Sequence, residues 1–299
     1  MPTQAQENQA VYNRKFGIEL EFATLPERMS DVAAKMQAAG LNFRNLGGYG
    51  HSDGSAWDLK TDSSAGLEIS SRVLRATEEG IAEVYNFVKT LDKIRENSPT
   101  WKVTTKCGFH IHVDITDLTF MQTRNLVKLV LAFESVIFGM NPDCRQNNNY
   151  CRRITGIREY EEIAGMRGFL TREKFLRLAN SIRQNYGKYY GLNMLSAIQG
   201  GQVEFRYMAG TLNPEKVRAW VLFILSLVEK AKNSDFCAPF IQTPKPFKQI
   251  HGQAMKCLRE LKKIGIRTGV SRAKATLTRR FKKFSGNRAE TSIHYNLAT

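Results

Sequence analysis

The sequence predicts an α+β fold in which helices pack on an antiparallel sheet, and three observations lead there. Strand-like segments come as neighbouring pairs, residues 56–59 with 67–71 and residues 189–198 with 202–209. Segments with apolar residues every three or four positions lie between those pairs rather than after each strand, which disfavours a doubly wound parallel sheet. Three apolar strands carry polar dyads at i, i+2: Glu19 with Glu21, His110 with His112, and Glu204 with Arg206. Side chains alternate along a strand, so each dyad occupies one face and its apolar neighbours the other.

The elements follow in order. Residues 12–24 read as the first strand, and Ser30 can cap a helix through Val32, Met36 and Ala39 that stops at Gly40. The glycine-rich loop of residues 47–55 lacks the Lys of a P-loop and opens no clear helix, so its pattern does not mark a phosphate cradle. Turn-forming residues 61–66 join the first hairpin. Thr77 caps a helix whose buried face carries Ile81, Val84, Tyr85, Val88 and Leu91. The histidine dyad sits on a strand over residues 102–115. Thr119 with Gln122 forms a capping box for a helix striped by Leu126, Leu129, Val130, Phe133 and Ile137, ending near Asn141-Pro142. A polar loop over residues 144–153 precedes a helix over 171–183, and the second hairpin turns at Gly200-Gly201. Asn213 and Pro214 start an apolar helix through Val228. After Thr243-Pro244-Lys245-Pro246, the spacing of Leu258, Leu261 and Ile264, then of Leu277, Phe281 and Phe284, permits two short basic helices. The expected division is a domain over residues 1–243 and a basic helical extension over 244–299.

Of the 299 residues, 42% are hydrophobic and 24% charged, enough apolar material for a soluble core. No run reaches the roughly 18 apolar residues of a membrane span; the nearest, residues 219–228, reads as a buried helix. The N-terminal residues show no basic stretch followed by an apolar one, so a cytoplasmic location is expected. The five cysteines are scattered and form no CxxC, which argues for reduced thiols. Cys107 with His110 and His112 lacks the second ligand pair of a structural zinc site. The net charge of +16 is unevenly spread: residues 245–288 hold fourteen Lys or Arg against one acid, Glu260, leaving +4 for residues 1–244.

Each dyad alone also suits the wet face of an amphipathic strand, and Glu204 with Arg206 suits a salt bridge. Taken together, with Glu68 added from a fourth strand, they form a set of hard and borderline donors suited to Mg²⁺ or Mn²⁺, beside an arginine suited to phosphate. Two carboxylates on one face of an apolar strand repel unless a cation lies between them, one is protonated, or the face is wet.

GIELEF, DGS followed by LEIS, GFHIHV, NNNYC, and YYGLN followed by VEFRYMAGT occur here in the order found in amidoligases. The chain resembles that family from about Phe16 to Thr211. Amidoligases belong to the carboxylate-amine ligases of glutamine synthetase-like fold, with the glutamate-cysteine ligases. The resemblance implies a curved antiparallel sheet whose concave face binds ATP and divalent ions (Mg²⁺ or Mn²⁺, about two or three). It makes Glu19, Glu21, Glu68, His110 and Glu204 the expected metal ligands. His112, Arg206, Arg145 and Arg152 are then expected at nucleotide phosphates, and Asp53, Ser55, Tyr150 and Asn193 at substrate. Arg206 and Asp53 would be catalytic, the one at the phosphoryl group and the other at the incoming amine. The implied activity is ATP-dependent joining of a carboxylate to an amine through an acyl phosphate, on an amino acid, peptide or protein. Two other readings stay open from the residues: nucleic-acid or acidic-polymer binding through the basic C-terminal segment on an inactive ligase-like domain, and a metal-dependent hydrolase.

Overall fold

The computed structural model describes residues 14–146, 148–166, 171–195, 197, 201–234, 242–286 and 291–295. Its main sheet has eight strands: β1 (Lys15–Phe22), β2 (Arg44–Asn45), β3 (Asp58–Asp62), β4 (Gly66–Ser70), β5 (Leu74–Arg75), β6 (Gly108–Asp114), β7 (Leu192–Asn193) and β8 (Gln202–Ala209). Their order is β2, β3, β4, β1, β6, β8, β7, with β5 pairing the start of β1. All pairings are antiparallel except the short one between β2 and β3.

Register explains why the polar dyads meet. Glu19 lies opposite Ser70 on β4 and His110 on β6, Glu21 opposite Glu68, and His112 opposite Glu204. Directly opposed residues share a face, so these strands place their polar dyads on one side. Ile18, Leu20, Phe22, Ile69, Phe109, Ile111, Val113, Val203 and Phe205 fill the other and are buried. Between the registers Phe109 with Met208 and Ile111 with Phe205, β8 holds one residue more than β6. This bulge lies opposite His110; Arg206 keeps the polar face it shares with Glu204, and the consecutive Tyr207 and Met208 are both buried. Tyr207 donates to the buried Glu134 at 2.8 Å.

The helices are α1 (Met29–Ala38), α2 (Glu78–Glu96), α3 (Phe120–Gly139), α4 (Asp143–Gln146), α5 (Arg158–Gly165), α6 (Arg172–Tyr186), α7 (Pro214–Lys232), α8 (Phe247–Lys256), α9 (Glu260–Lys263) and α10 (Val270–Ser285). The expected caps form at Thr77, Thr119 and Asn213. α1 starts before the expected Ser30 cap, because the Asp31 carboxylate accepts from the Arg28 N–H at 3.1 Å. α7 is buried nearly all round and joins the sheet's apolar face with α2, α3 and α10 in one core.

One expectation needs correction. The second hairpin is not tight: β7 ends at Asn193, whose side-chain oxygen accepts from the Leu195 N–H at 3.0 Å, diverting the chain before it returns at Gln202. Gly200 lies outside the described residues. The segment after residue 243 packs on the rest of the chain. Gln242–Pro246 pairs with Thr291–Tyr295 as a two-stranded sheet (β9 and β10), and α8 to α10 bury Ile250, Leu258, Leu261, Ile266, Leu277 and Phe281 in the same apolar cluster as the sheet. Side chains of this size contribute roughly 1.5–3 kcal/mol each on burial. Glu78, at the start of α2, also accepts from the backbone N–H groups of Arg267 and Thr268 at 2.5 and 2.8 Å.

Candidate active site

The polar face gathers its charged groups in two neighbouring sets. In the first, ligand atoms of Glu19, His112 and Glu204 lie within 4.8 Å of one another; in the second, so do those of Glu21, Asp62 and Glu68. His110 stands between the sets: its Nδ1 is 3.0 Å from Glu19 and 3.5 Å from Glu204, and its Nε2 is 3.6 Å from Glu21. His112 Nε2 is 3.2 Å from the other oxygen of Glu19.

The backbone holds these groups in place. Gly108 N–H donates to Glu21 at 2.6 Å. A Cβ on Gly108 would come within 2.6 Å of His110 Nε2 and 3.0 Å of Arg145 Nη2, so a side chain there would push the His110 ring out of its present place. Glu204 accepts from the Asn193 amide at 2.7 Å on one oxygen and from Arg206 on the other. Glu68 takes Lys60 at 2.8 Å and Ser70 at 2.7 Å.

These groups shift one another's charge states. Burial raises the Glu68 carboxyl, and the nearby Glu19 carboxylate raises it further. Burial works against ionised Glu19, but His112 and His110 outweigh it and keep its carboxyl well below the usual range. Burial likewise opposes the His112 imidazolium, yet Glu19 lifts it to about 9. Glu204 stays below the carboxylate range despite burial because His110 and Arg206 flank it. Carboxylates and imidazoles crowded at these distances, with one carboxyl pushed toward protonation by another, are what a divalent cation relieves, and the donor types suit Mg²⁺ or Mn²⁺.

Two clefts open onto this face, and Glu19 borders both. An outer one of about 460 Å³ runs past Gly17, His112, Asp53 and Arg72. An inner one of about 210 Å³ is lined by Glu21, Asp62, Glu68 and His110 and by the cations Lys60, Lys106, Arg145, Lys188 and Arg206.

A family model described as "Putative amidoligase enzyme" matches residues 12–228, well over half of the chain. The chain belongs to the amidoligase family. Among solved structures, it is similar to the ligase PafA in its complex with the prokaryotic ubiquitin-like protein Pup, at 11% identity and a TM-score of 0.44. That match covers 93% of this chain and 65% of the other, so the chain spans less than two thirds of the solved ligase. No curated protein matches the sequence.

The remaining expected residues of this amidoligase fall into distinct places. Tyr150 lines the inner cleft, its ring edge-on to Tyr189 at 5.5 Å, and its carbonyl accepts from Arg206 Nε at 3.2 Å. Arg145 lines the same cleft, buried, with Nη2 donating to the Arg206 carbonyl at 2.6 Å; burial lowers its pKa. Asp53 lines the outer cleft but is clasped by Arg44 at 2.7 and 3.0 Å, and Arg44 with Ser55 holds its carboxyl far below the usual range. Ser55 lies outside both clefts and donates to Asp53 at 2.7 Å. Arg152 also lies outside them, with its guanidinium 4.9 Å above the Tyr190 ring. Asn193 is buried and turned to Glu204, which makes it a support for that carboxylate rather than a substrate contact.

Sequence reasoning missed Asp62 and the cleft lysines. Asp62 read as a turn-former, and it is one: its Oδ1 accepts from Ser64 N–H at 2.8 Å and Ala65 N–H at 2.7 Å. The hairpin register also brings it beside Glu21 and Glu68. Among the described cysteines, Cys107, Cys144, Cys151 and Cys257 are free thiols; Cys237 lies outside the described residues. Among the described residues, no helix is long and apolar enough to cross a membrane.

Proposed function

We propose that this amidoligase joins a carboxylate to an amine with cleavage of ATP. The observation that carries the reading is the gathering of Glu19, Glu21, Glu68, His110, His112 and Glu204 on one sheet face, with a cation-rich cleft on one side of Glu19 and a second cleft on the other. Glu19, His112 and Glu204 would hold one divalent ion and Glu21, Asp62 and Glu68 another, with His110 between them. Such ions, when bound, would neutralise the negative charge that develops during phosphoryl transfer.

The chain's own residues supply the rest. Arg206, kept charged by Glu204 against the cost of its burial, and Lys60, Lys106 and Lys188 suit the triphosphate in the inner cleft. The acceptor carboxylate attacks the γ-phosphorus there, the bond to ADP breaks, and an acyl phosphate forms. The amine, once its ammonium has given a proton to solvent, attacks the acyl carbon, and phosphate leaves with the second proton, giving an amide or isopeptide bond. Asp53 is held ionised by Arg44, so it suits binding the ammonium form of the amine in the outer cleft and is a poor acceptor for its proton. The substrates are an amino acid, peptide or protein.

Release of ADP is expected to require Mg²⁺, a carboxylate and an amine together, with a product lighter than the sum of its two substrates by one water, detected by mass spectrometry. Glu19→Gln should lower the rate at least about tenfold. Turnover of substrate without ATP would instead make the protein a metal-dependent hydrolase.

A further inference from the structure

The helices after residue 243 carry charge that the sheet face does not use. Thirteen Lys or Arg lie between Lys245 and Lys283 against the single acid Glu260, which is itself 2.9 Å from Lys263 and 4.0 Å from Lys230. α10 alone holds six cations and no acid.

These charges surround two hollows. Between the first turn of α7 and the second half of α10 lies a hollow of about 390 Å³, walled by Lys216, Arg279, Arg280 and Lys283 with Thr276 and Phe284. The acid on its rim, Glu215, is already engaged by Arg218 at 2.7 Å, Arg272 at 3.1 Å and Tyr85 at 3.2 Å. Arg280 is anchored by its Nε, which donates to the Met140 carbonyl at the end of α3 at 2.9 Å, and its guanidinium carbon sits 5.2 Å from the Phe284 ring centre. Lys283 Nζ is 5.3 Å from the same ring. Burial lowers the Lys216 ammonium, and Arg280 and Lys283 lower it further; Asp92 pulls the other way but is held by Arg95 at 2.6 Å. Like charges converging on one cavity, with Lys216 and Arg280 half-buried, are relieved by an anion.

The second hollow, of about 170 Å³, lies on the opposite flank of α10 and is edged by Lys256, Arg259, Lys262 and Lys274. Exposed Arg272 and Lys282 lie along the helix besides. Sixteen helical residues extend about 24 Å, the reach of several nucleotides rather than of one phosphate group.

We propose that α10 and the two hollows beside it form a binding ridge for a nucleic-acid backbone, with Lys216, Arg279, Arg280 and Lys283 as its principal phosphate site. Arginine forks match phosphate oxygens, and Phe284 offers a face for a base. The outward positions of α10, at Ser271, Ala275, Thr278 and Lys282, carry no large apolar anchor of the kind that seats a basic helix in a lipid surface.

The test is fluorescence anisotropy of the full chain with a labelled single-stranded oligonucleotide of about 20 nucleotides, titrated across salt concentrations. Replacing exposed Arg279 and Lys283 together by Ala should weaken binding at least about tenfold and flatten the log–log salt slope by about 1.4, two phosphate contacts' worth on a single strand. Replacing Arg172 and Arg177 together by Ala removes equal charge from the exposed face of α6, which lines neither hollow, and should change affinity less than about twofold. Matching unfolding midpoints for both variants would exclude misfolding. The proposal fails if the wild-type chain does not bind, if both double variants lose affinity equally, or if oligoglutamate of matched charge competes as well as unlabelled oligonucleotide. This readout does not involve the ligase reaction.

Discussion

Glu204 is placed by its neighbours. Asn193 occupies one carboxylate oxygen at 2.7 Å, while Arg206 and His110 approach the other. Groups that orient a metal-binding carboxylate typically affect metal affinity by 10- to 100-fold when removed. Asn193→Ala is therefore expected to weaken Mn²⁺ binding about tenfold or more, read by titration, although Asn193 lines neither cleft; unchanged affinity would show that Glu204 needs no such support. This residue also marks the limit of sequence reading. The strand carboxylates and histidines were legible because i, i+2 spacing alone assigns them to one face. That Asn193 turns to Glu204, and that Asp62 joins Glu21 and Glu68, depends on cross-strand register, which local sequence does not record. Arg152 and Arg145 look alike in the polar loop, yet only the second turns into the cleft.

Elements were legible where their signals are local. The caps at Thr77, Thr119 and Asn213 and the hairpin of β3 with β4 stand where spacing and turn residues indicated. What a helix packs against was not, because the faces that join distant segments have no local signature. The C-terminal helices read as an extension by their charge, yet they are fastened by apolar and aromatic contacts, among them Phe247 with Phe281 at 5.0 Å and His251 stacked on Phe281 at 4.2 Å. Burial, and secondarily Lys274, lowers the folded-state pKa of His251 to about 4. The unfolded chain then takes up this proton more readily than the folded one, so the contribution to stability is intact above about 6.5 and declines as pH falls toward 4. The wild-type unfolding midpoint should drop more between pH 7 and 4.5 than that of His251→Gln, measured by thermal denaturation. Equal drops would mean that His251 is not protected from protonation in the fold.

Across the whole molecule, one sheet separates two tasks. Its apolar face joins α2, α3, α7 and the C-terminal helices in a common core, and that rigid backing holds crowded charges on the opposite face. Glu19 sits where the two clefts meet, which is where a nucleotide and an acceptor would approach each other. The proposed binding of divalent ions on this face, for chemistry on ATP, can be tested before any substrate is known. Mn²⁺ binding followed by electron paramagnetic resonance, with a non-hydrolysable ATP analogue present, should reveal at least two bound ions, one for each ligand set. Glu19→Gln and Glu21→Gln should each remove or weaken at least one of them. A wild-type chain that binds no Mn²⁺ with the nucleotide present, or both variants binding it as the wild type does, would mean that these carboxylates do not hold divalent ions for chemistry on ATP.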